Sequence, residues 1–191
     1  AVGEQRSLTL ADGSHVLLNT HTAINIRFDA RQRRIALLAG EVLVTSANDP
    51  ATPPRPLVVT TPQGHARALG SRFSVRIDGA LTRVAVLQGT VANRPLHAAA
   101  SVQLKAGERS AFDADRVLPA TPLENGDLAW EHGMLLARDM RLADLLQELG
   151  RYRPGVLRCH PAVRGLKVSG AFPVADTDAS LRLLSDTLPV T

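Results

Sequence analysis

Through the first half of the chain, apolar and polar residues alternate at every second position, and glycines interrupt the alternation. Leu8, Leu10, Val16 and Leu18 keep this period on either side of Asp12-Gly13. An Asp-Gly pair between alternating segments is a strong short-range hairpin signal. Ile24, Ile26 and Phe28 alternate again, and after a polar turn at 29–32 the run 35–38 leads to Gly40 and then to Val42, Leu43 and Val44. The segments 84–91 and 102–108 repeat the order strand, glycine, strand, around Gly89 and Gly107. Glycine adopts backbone angles that other residues resist. The uneven spacing of glycines 40, 89 and 107 argues against a solenoid and for one all-β unit of glycine-punctuated hairpins. Pro50, Pro53, Pro54 and Pro56 mark a loop, because proline donates nothing to a ladder. Strand pattern returns at 57–60 and 73–77.

The period changes after a break at 119–126. Leu142, Leu145, Leu146 and Leu149 lie on one stripe of a helix. Asp139 is a candidate N-cap, with Gly150 or Pro154-Gly155 as the stop. Met134 to Ala137, Val156 to Arg158 and Leu166 to Gly170 read as short strands. A second helix, capped by Asp176 or Thr177, carries Leu181, Leu184 and Leu188. The expected fold class is therefore mainly β with a small α/β domain of order β-α-β-β-α. The expected limits are 1–118 for the all-β domain, 119–129 for a linker and 130–191 for the α/β domain. A last strand of that domain would lie beyond Thr191.

Composition narrows the function classes. Of the 191 residues, 45% are apolar and 21% charged, which implies a packed core. No apolar run reaches the roughly 18 residues of a membrane helix. The first residues lack the apolar segment of a signal peptide. With no initial Met and an abrupt end, the chain reads as a piece of a longer protein. Net charge is +4, but the arginines are dispersed apart from Arg31, Arg33 and Arg34, and six aromatics are too few for a base-stacking platform. Nucleic acid is not an expected partner. The arginine cluster could meet anionic lipid or an acidic partner; a solvated hairpin tip is the expected reading.

Chemistry-bearing patterns are sparse. The six histidines (His15, His21, His65, His97, His132, His160) show no metal-ligand spacing. No nucleophile elbow, P-loop or dinucleotide fingerprint occurs. Cys159 and His160 are neighbours, a poor geometry for nucleophile and base, and Cys159 is expected as a small core residue. Asp113 and Asp115 supply too few oxygens for calcium, so a turn is expected. Leu135, Leu142, Leu149 and Val156 form a heptad-like series that crosses predicted strands, so a core stripe is expected over a coiled coil. The expectation is a non-enzymatic module with no catalytic, cofactor-binding or metal residues and no small-molecule ligand.

These strings resemble a known family. LTLADGSHVLLNT from Leu8, RRIALLAGEVLV from Arg33, PLVVTTPQGHARALGSRFSVRI from Pro56 and TRVAVLQGTV from Thr82 are similar, in order, to the motifs of the FecR domain. LADLLQELGRYRPG from Leu142 and LKVSGAFPVADTDASLRLLSDTLPV from Leu166 resemble the C-terminal region of FecR-type iron-uptake regulators, which is similar to the secretin/TonB short N-terminal domain. Ser71 stands where the family usually carries Thr, and Arg141 where a Pro often precedes the helix. The resemblance implies the periplasmic part of a single-pass inner-membrane anti-sigma factor. It implies as partner the signalling domain of an outer-membrane TonB-dependent siderophore transducer, with an extracytoplasmic-function sigma factor contacted by a cytoplasmic part outside this chain, and with regulated periplasmic proteolysis. Arg151, Tyr152, Arg153, Leu166, Lys167, Val168, Ser169 and Gly170 are the expected partner-binding residues. The alternative is a β-rich envelope module binding glycan or peptidoglycan, which would need exposed aromatics.

Overall fold

Strands that alternate over so long a stretch need a second apolar face to bury against, and in the computed structural model, which describes residues 1–188, two sheets supply it. The chain divides into two compact units: Gln5–Leu123, and Glu124 onward together with Ala1–Glu4. The protein is mainly β with a small α/β region.

The strands of the first unit are β1 Arg6–Thr9, β2 His15–Leu18, β3 Ala23–Phe28, β4 Arg33–Ala39, β5 Glu41–Thr45, β6 Leu57–Thr61 and β7 Gly64–Ala68. There follow β8 Arg72–Asp78, β9 Leu81–Gln88, β10 Thr90–Pro95, β11 Val102–Lys105, β12 Glu108–Phe112 and β13 Thr121–Pro122. One sheet has the order β1-β2-β5-β8-β9-β12-β13, the other β11-β10-β7-β6-β4-β3. Between them lies one apolar core that includes Val16, Ile35, Leu37, Val42, Val44, Leu57, Val59, Phe73, Val75 and Phe112. The stretch expected as a linker contributes β13, whose Thr121 pairs with Arg109.

The Asp12-Gly13 signal yields the β1–β2 hairpin, with Leu8 opposite Val16. The glycines at 40, 89 and 107 do something else. They join β4 to β5, β9 to β10 and β11 to β12, and in each case the two strands belong to different sheets. They are corners where the chain crosses the core, not hairpin turns. A corner needs the chain to bend sharply away from its sheet. Gly40 does so at φ +87, and a Cβ there would lie 2.6 Å from Thr22 Cα and 2.8 Å from the His21 carbonyl oxygen. Because β5 crosses to the other sheet before β6 returns, β4 and β6 run parallel, a pairing that a hairpin cannot make.

The second unit comprises β14 Met134–Arg141, α1 Leu142–Gly150, β15 Lys167–Pro173 and α2 Thr177–Thr187. α1 packs Leu142, Leu145 and Leu149 against Ala137, Val168, Phe172 and Leu184. The leucine stripe is thus core, as expected, and α2 is capped by Asp176, whose carboxylate accepts from the Ala179 N–H at 2.9 Å. Asp139 caps nothing: it sits at φ 48 where β14 bulges against β15, and its N–H donates to Ser169 Oγ. The strand runs straight into the helix, so the first free helical N–H groups, those of Leu142 and Ala143, donate to the backbone carbonyls of Leu166 and Arg164. Residues 156–158 form no strand. Pro154 and Pro161 bracket them, Val156 is 79% exposed, and Leu157 alone of the three packs on the core. Cys159 is only partly buried and lies outside the core. No helix among the described residues is long and apolar enough to cross a membrane.

Candidate docking edge

In the second unit β15 has one strand neighbour, β14, so its other edge is unpaired among the described residues. Which backbone groups face that edge follows from parity. The Val174 N–H donates to the Gly133 carbonyl, and the Leu166 carbonyl accepts from Leu142, so even-numbered residues point their polar groups toward β14. Pro173, lacking an N–H, falls in the odd series. The N–H and C=O groups of Lys167, Ser169 and Ala171 therefore face outward. At the far end the Pro173 carbonyl accepts from Ser180 Oγ at 2.8 Å, which closes the edge beyond Ala171.

The expected partner-binding residues separate into two groups. Val168 is buried, and Leu166 packs on the core while its backbone is occupied by Leu142 and Val163. Gly170 pairs with Ala137. Lys167 is exposed and donates to the Asp139 carbonyl, and Ser169 is exposed and accepts from the Asp139 N–H. Tyr152 is buried, with the Arg151 guanidinium 5.8 Å from its ring centroid. Arg151 pairs with Glu148 at 3.1 Å and Arg153 with Asp178 at 2.9 Å. Both arginines thus hold their own unit together before they meet any partner.

The arginine cluster at 31–34 is not a solvated tip throughout. Arg33 is buried, and its Nη1 donates to Asp12 Oδ2 at 2.6 Å and to the Ala47 carbonyl at 2.9 Å. Its Nε and Nη2 donate to the Arg55 carbonyl. Burial pushes the Asp12 carboxyl up, but the Ser14 N–H, the Arg33 guanidinium and the Ser14 hydroxyl outweigh it, and the group titrates below its ordinary range. In the proline loop Asp49 takes a two-pronged contact from Arg55, at 2.9 and 3.0 Å, and its carboxyl is held far below the usual range mainly by those bonds. Arg55 Nη1 also donates to the Asp29 carbonyl. The Asp-Gly turn, the start of β4 and the proline loop are thereby tied together. Sequence reasoning missed this clamp; the available signal was an arginine at an inward position of a strand.

Other candidates resolve plainly. Asp113 Oδ1 accepts from the Asp115 and Arg116 N–H groups, a turn as expected. His15 Nδ1 contacts Thr9 Oγ1, and His160 Nδ1 accepts from the Ala162 N–H. No group of three or more metal-ligating side chains assembles among the described residues. Burial, and after it Arg94 and Arg67, holds the His65 imidazole below its ordinary range. The unfolded chain then takes up the proton first. Stability from this site should be full above about pH 6.5 and fall as pH drops through that value toward the folded pKa. His65→Gln should flatten the loss between pH 7.5 and 5.5 in thermal melts; an unchanged slope would assign the loss elsewhere.

The match to known proteins begins where the clamp lies: residues 1–92 match the family model described as FecR protein. Over this stretch the chain is similar to the FecR family. The FecR stretch runs from β1 into β10 and holds Asp12, Arg33, Asp49 and Arg55. In it Ser71 is buried and donates to the Thr90 carbonyl at 2.7 Å, so the hydroxyl that a Thr would offer is in place. Two crystal structures of a candidate anti-sigma factor from Parabacteroides distasonis share the fold. One aligns with a TM-score of 0.76 at 22% identity, covering 97% of this chain and 88% of that one. The other gives 0.73 at 21% identity, with 97% and 89% covered. No curated protein matches the chain.

Proposed function

We propose that this chain is the periplasmic sensor region of a single-pass inner-membrane sigma-factor regulator. In this reading it is a non-enzymatic binding module. Its second unit docks the periplasmic signalling domain of an outer-membrane TonB-dependent siderophore transducer, and the message passes inward to an extracytoplasmic-function sigma factor that controls iron-uptake genes. The FecR match over residues 1–92 carries the reading. The fold shared along 97% of the chain with a candidate anti-sigma factor supports it.

The open edge of β15 is a suitable dock, because an added strand satisfies backbone groups that otherwise face water. The glycan alternative loses support on one observation: Phe73, Phe112, Trp130, Tyr152 and Phe172 are all buried, and Phe28 packs on the core. No aromatic platform is left to stack on a sugar.

Reversing Arg151 and Arg153 would break internal ion pairs as well as any interface, so the edge itself is the better target. Ala171→Pro removes one outward N–H and leaves the β14 ladder whole. Affinity for the transducer signalling domain, measured by calorimetry, should fall at least about tenfold with the circular dichroism spectrum unchanged. Wild-type affinity in a folded variant would remove β15 as the dock. A wild-type chain that does not bind any transducer signalling domain from its own cell would remove the function.

A further inference from the structure

The outward face of the six-stranded sheet has a charge pattern that the docking role leaves unused. None of its six strands contains an aspartate or glutamate. Alternation and register place the outward residues in rows. One row runs Arg27, Arg34, Val58, Arg67, Ala92, Gln103 across the strands. The next runs Asn25, Ala36, Thr60, His65, Arg94. Arg34, Arg67 and Arg94 are exposed, and among the described residues no acidic side chain pairs with them; Arg94 donates only to the Ala98 carbonyl. Asp29 lies near Arg27 at the edge. Val58 faces outward between Arg34 and Arg67 and is still only 5% exposed. Arginines on either side of such a position can lay their alkyl stems over it and keep their charged heads in solvent.

The strands that carry Arg34, Arg67 and Arg94 each continue into an exposed leucine in the same alternation. Leu38 lies at the end of β4, and Leu69 and Leu96 just past β7 and β10, at 56%, 55% and 62% exposure. The register puts Leu69 at one end of the face and Leu38 and Leu96 at the other, with the cations between. No cation on this face is buried, so no pocket is built for one small anion. A sugar or nucleic-acid polyanion would want stacking groups, which are buried, and has no use for flanking leucines.

From this arrangement we propose that the outward face of the six-stranded sheet, centred on Arg34, Arg67 and Arg94, lies against an anionic phospholipid bilayer, with Leu38, Leu69 and Leu96 dipping among the headgroups. Clustered cations near an anionic leaflet gain attraction that adds residue by residue and is screened by salt, and exposed apolar side chains add interfacial burial. The inference extends the envelope location proposed above. It uses a different unit from the docking edge, so the two can fail separately.

The test is co-sedimentation of the full chain with vesicles of phosphatidylcholine containing none or 40% phosphatidylglycerol, at low and high salt. Binding should require phosphatidylglycerol and weaken with salt. Arg34→Glu/Arg67→Glu/Arg94→Glu should lower partitioning at least about 100-fold, and Leu38→Ser/Leu69→Ser/Leu96→Ser should lower it at constant charge. Arg138→Glu/Arg158→Glu/Arg164→Glu, all in the second unit, should bind as wild type. If the first triple variant does not fold, the Arg→Gln triple replaces it. No binding to 40% phosphatidylglycerol at low salt would overturn the proposal. So would equal loss in the second-unit control. Binding that the leucine variant leaves unchanged, and that heparin or polyglutamate takes up equally, would overturn it in favour of a soluble polyanion.

Discussion

Arg33→Ala should cost about 3–5 kcal/mol of the stability of the first unit. The side chains of Arg33 and Asp12 are 1% and 3% exposed, and the pair closes at 2.6 Å. Removing the guanidinium leaves a carboxylate out of water with only the Ser14 donors, and it orphans the Ala47 and Arg55 carbonyls as well. Replacing both ends of the pair is another matter. Asp12→Asn/Arg33→Met keeps an acceptor for the Ser14 N–H and removes both charges, so it should lose distinctly less than the single variant. Urea denaturation followed by circular dichroism reads the first unit. Trp130 and Tyr152 both lie in the second unit, so their fluorescence serves as an internal control and should stay unchanged. A single variant within about 1 kcal/mol of wild type would mean that the clamp is not structural. The pH response follows from the same pair. Asp12 has a folded pKa below its unfolded value, so its stabilisation is complete above about pH 4 and is lost as pH falls through the folded pKa. Arg33→Ala should blunt that acid sensitivity.

Gly40→Ala should be nearly as damaging, about 2–5 kcal/mol. Part of the loss, about 1–2 kcal/mol, comes from the left-handed backbone at φ +87. The rest, about 1–3 kcal/mol, comes from a methyl group set against Thr22 Cα and the His21 carbonyl, backbone neighbours that cannot swing aside. Thr22 is itself fixed, since its Oγ1 accepts from the Glu41 N–H and donates to a backbone carbonyl. Thr22→Ser/Gly40→Ala should recover little, because the clash is with Cα and the carbonyl. Gly79→Ala is the control: its φ is +59, but no atom lies within 4 Å of the added methyl, so only the backbone part of the loss should appear. Equal losses at the two sites would show that close packing at the corner contributes nothing.

Most elements were legible because their signals are local. Period two gave the strands, Asp-Gly the first hairpin, the proline cluster a loop, and the i, i+3, i+4 leucines α1. Three of the readings that failed depended on something distant in sequence. The strand–glycine–strand units look alike in sequence whether the second strand folds back beside the first or crosses to another sheet. Which one happens is decided by where the apolar faces can be buried, so Gly40, Gly89 and Gly107 became corners. Arg33 looked like one member of a surface cluster because its partner, Asp12, is 21 positions away. Asp139 resembled a helix cap until the β14 bulge took its N–H and the 164–166 backbone served the helix instead. The docking edge was legible only as a strand; which of its residues turn backbone groups outward depended on the ladder with β14.

By itself, then, the sequence determined the class of the fold, the two-part order of the chain, the helix faces and the likeness to FecR motifs, since alternation, turn residues and motif strings are all properties of neighbours along the chain. Tertiary structure alone decided which strands share a sheet, which arginine is buried and which are turned out to water, and which strand edge is left open. Those depend on pairings between residues far apart in sequence, where burial and register, not local preference, set the outcome.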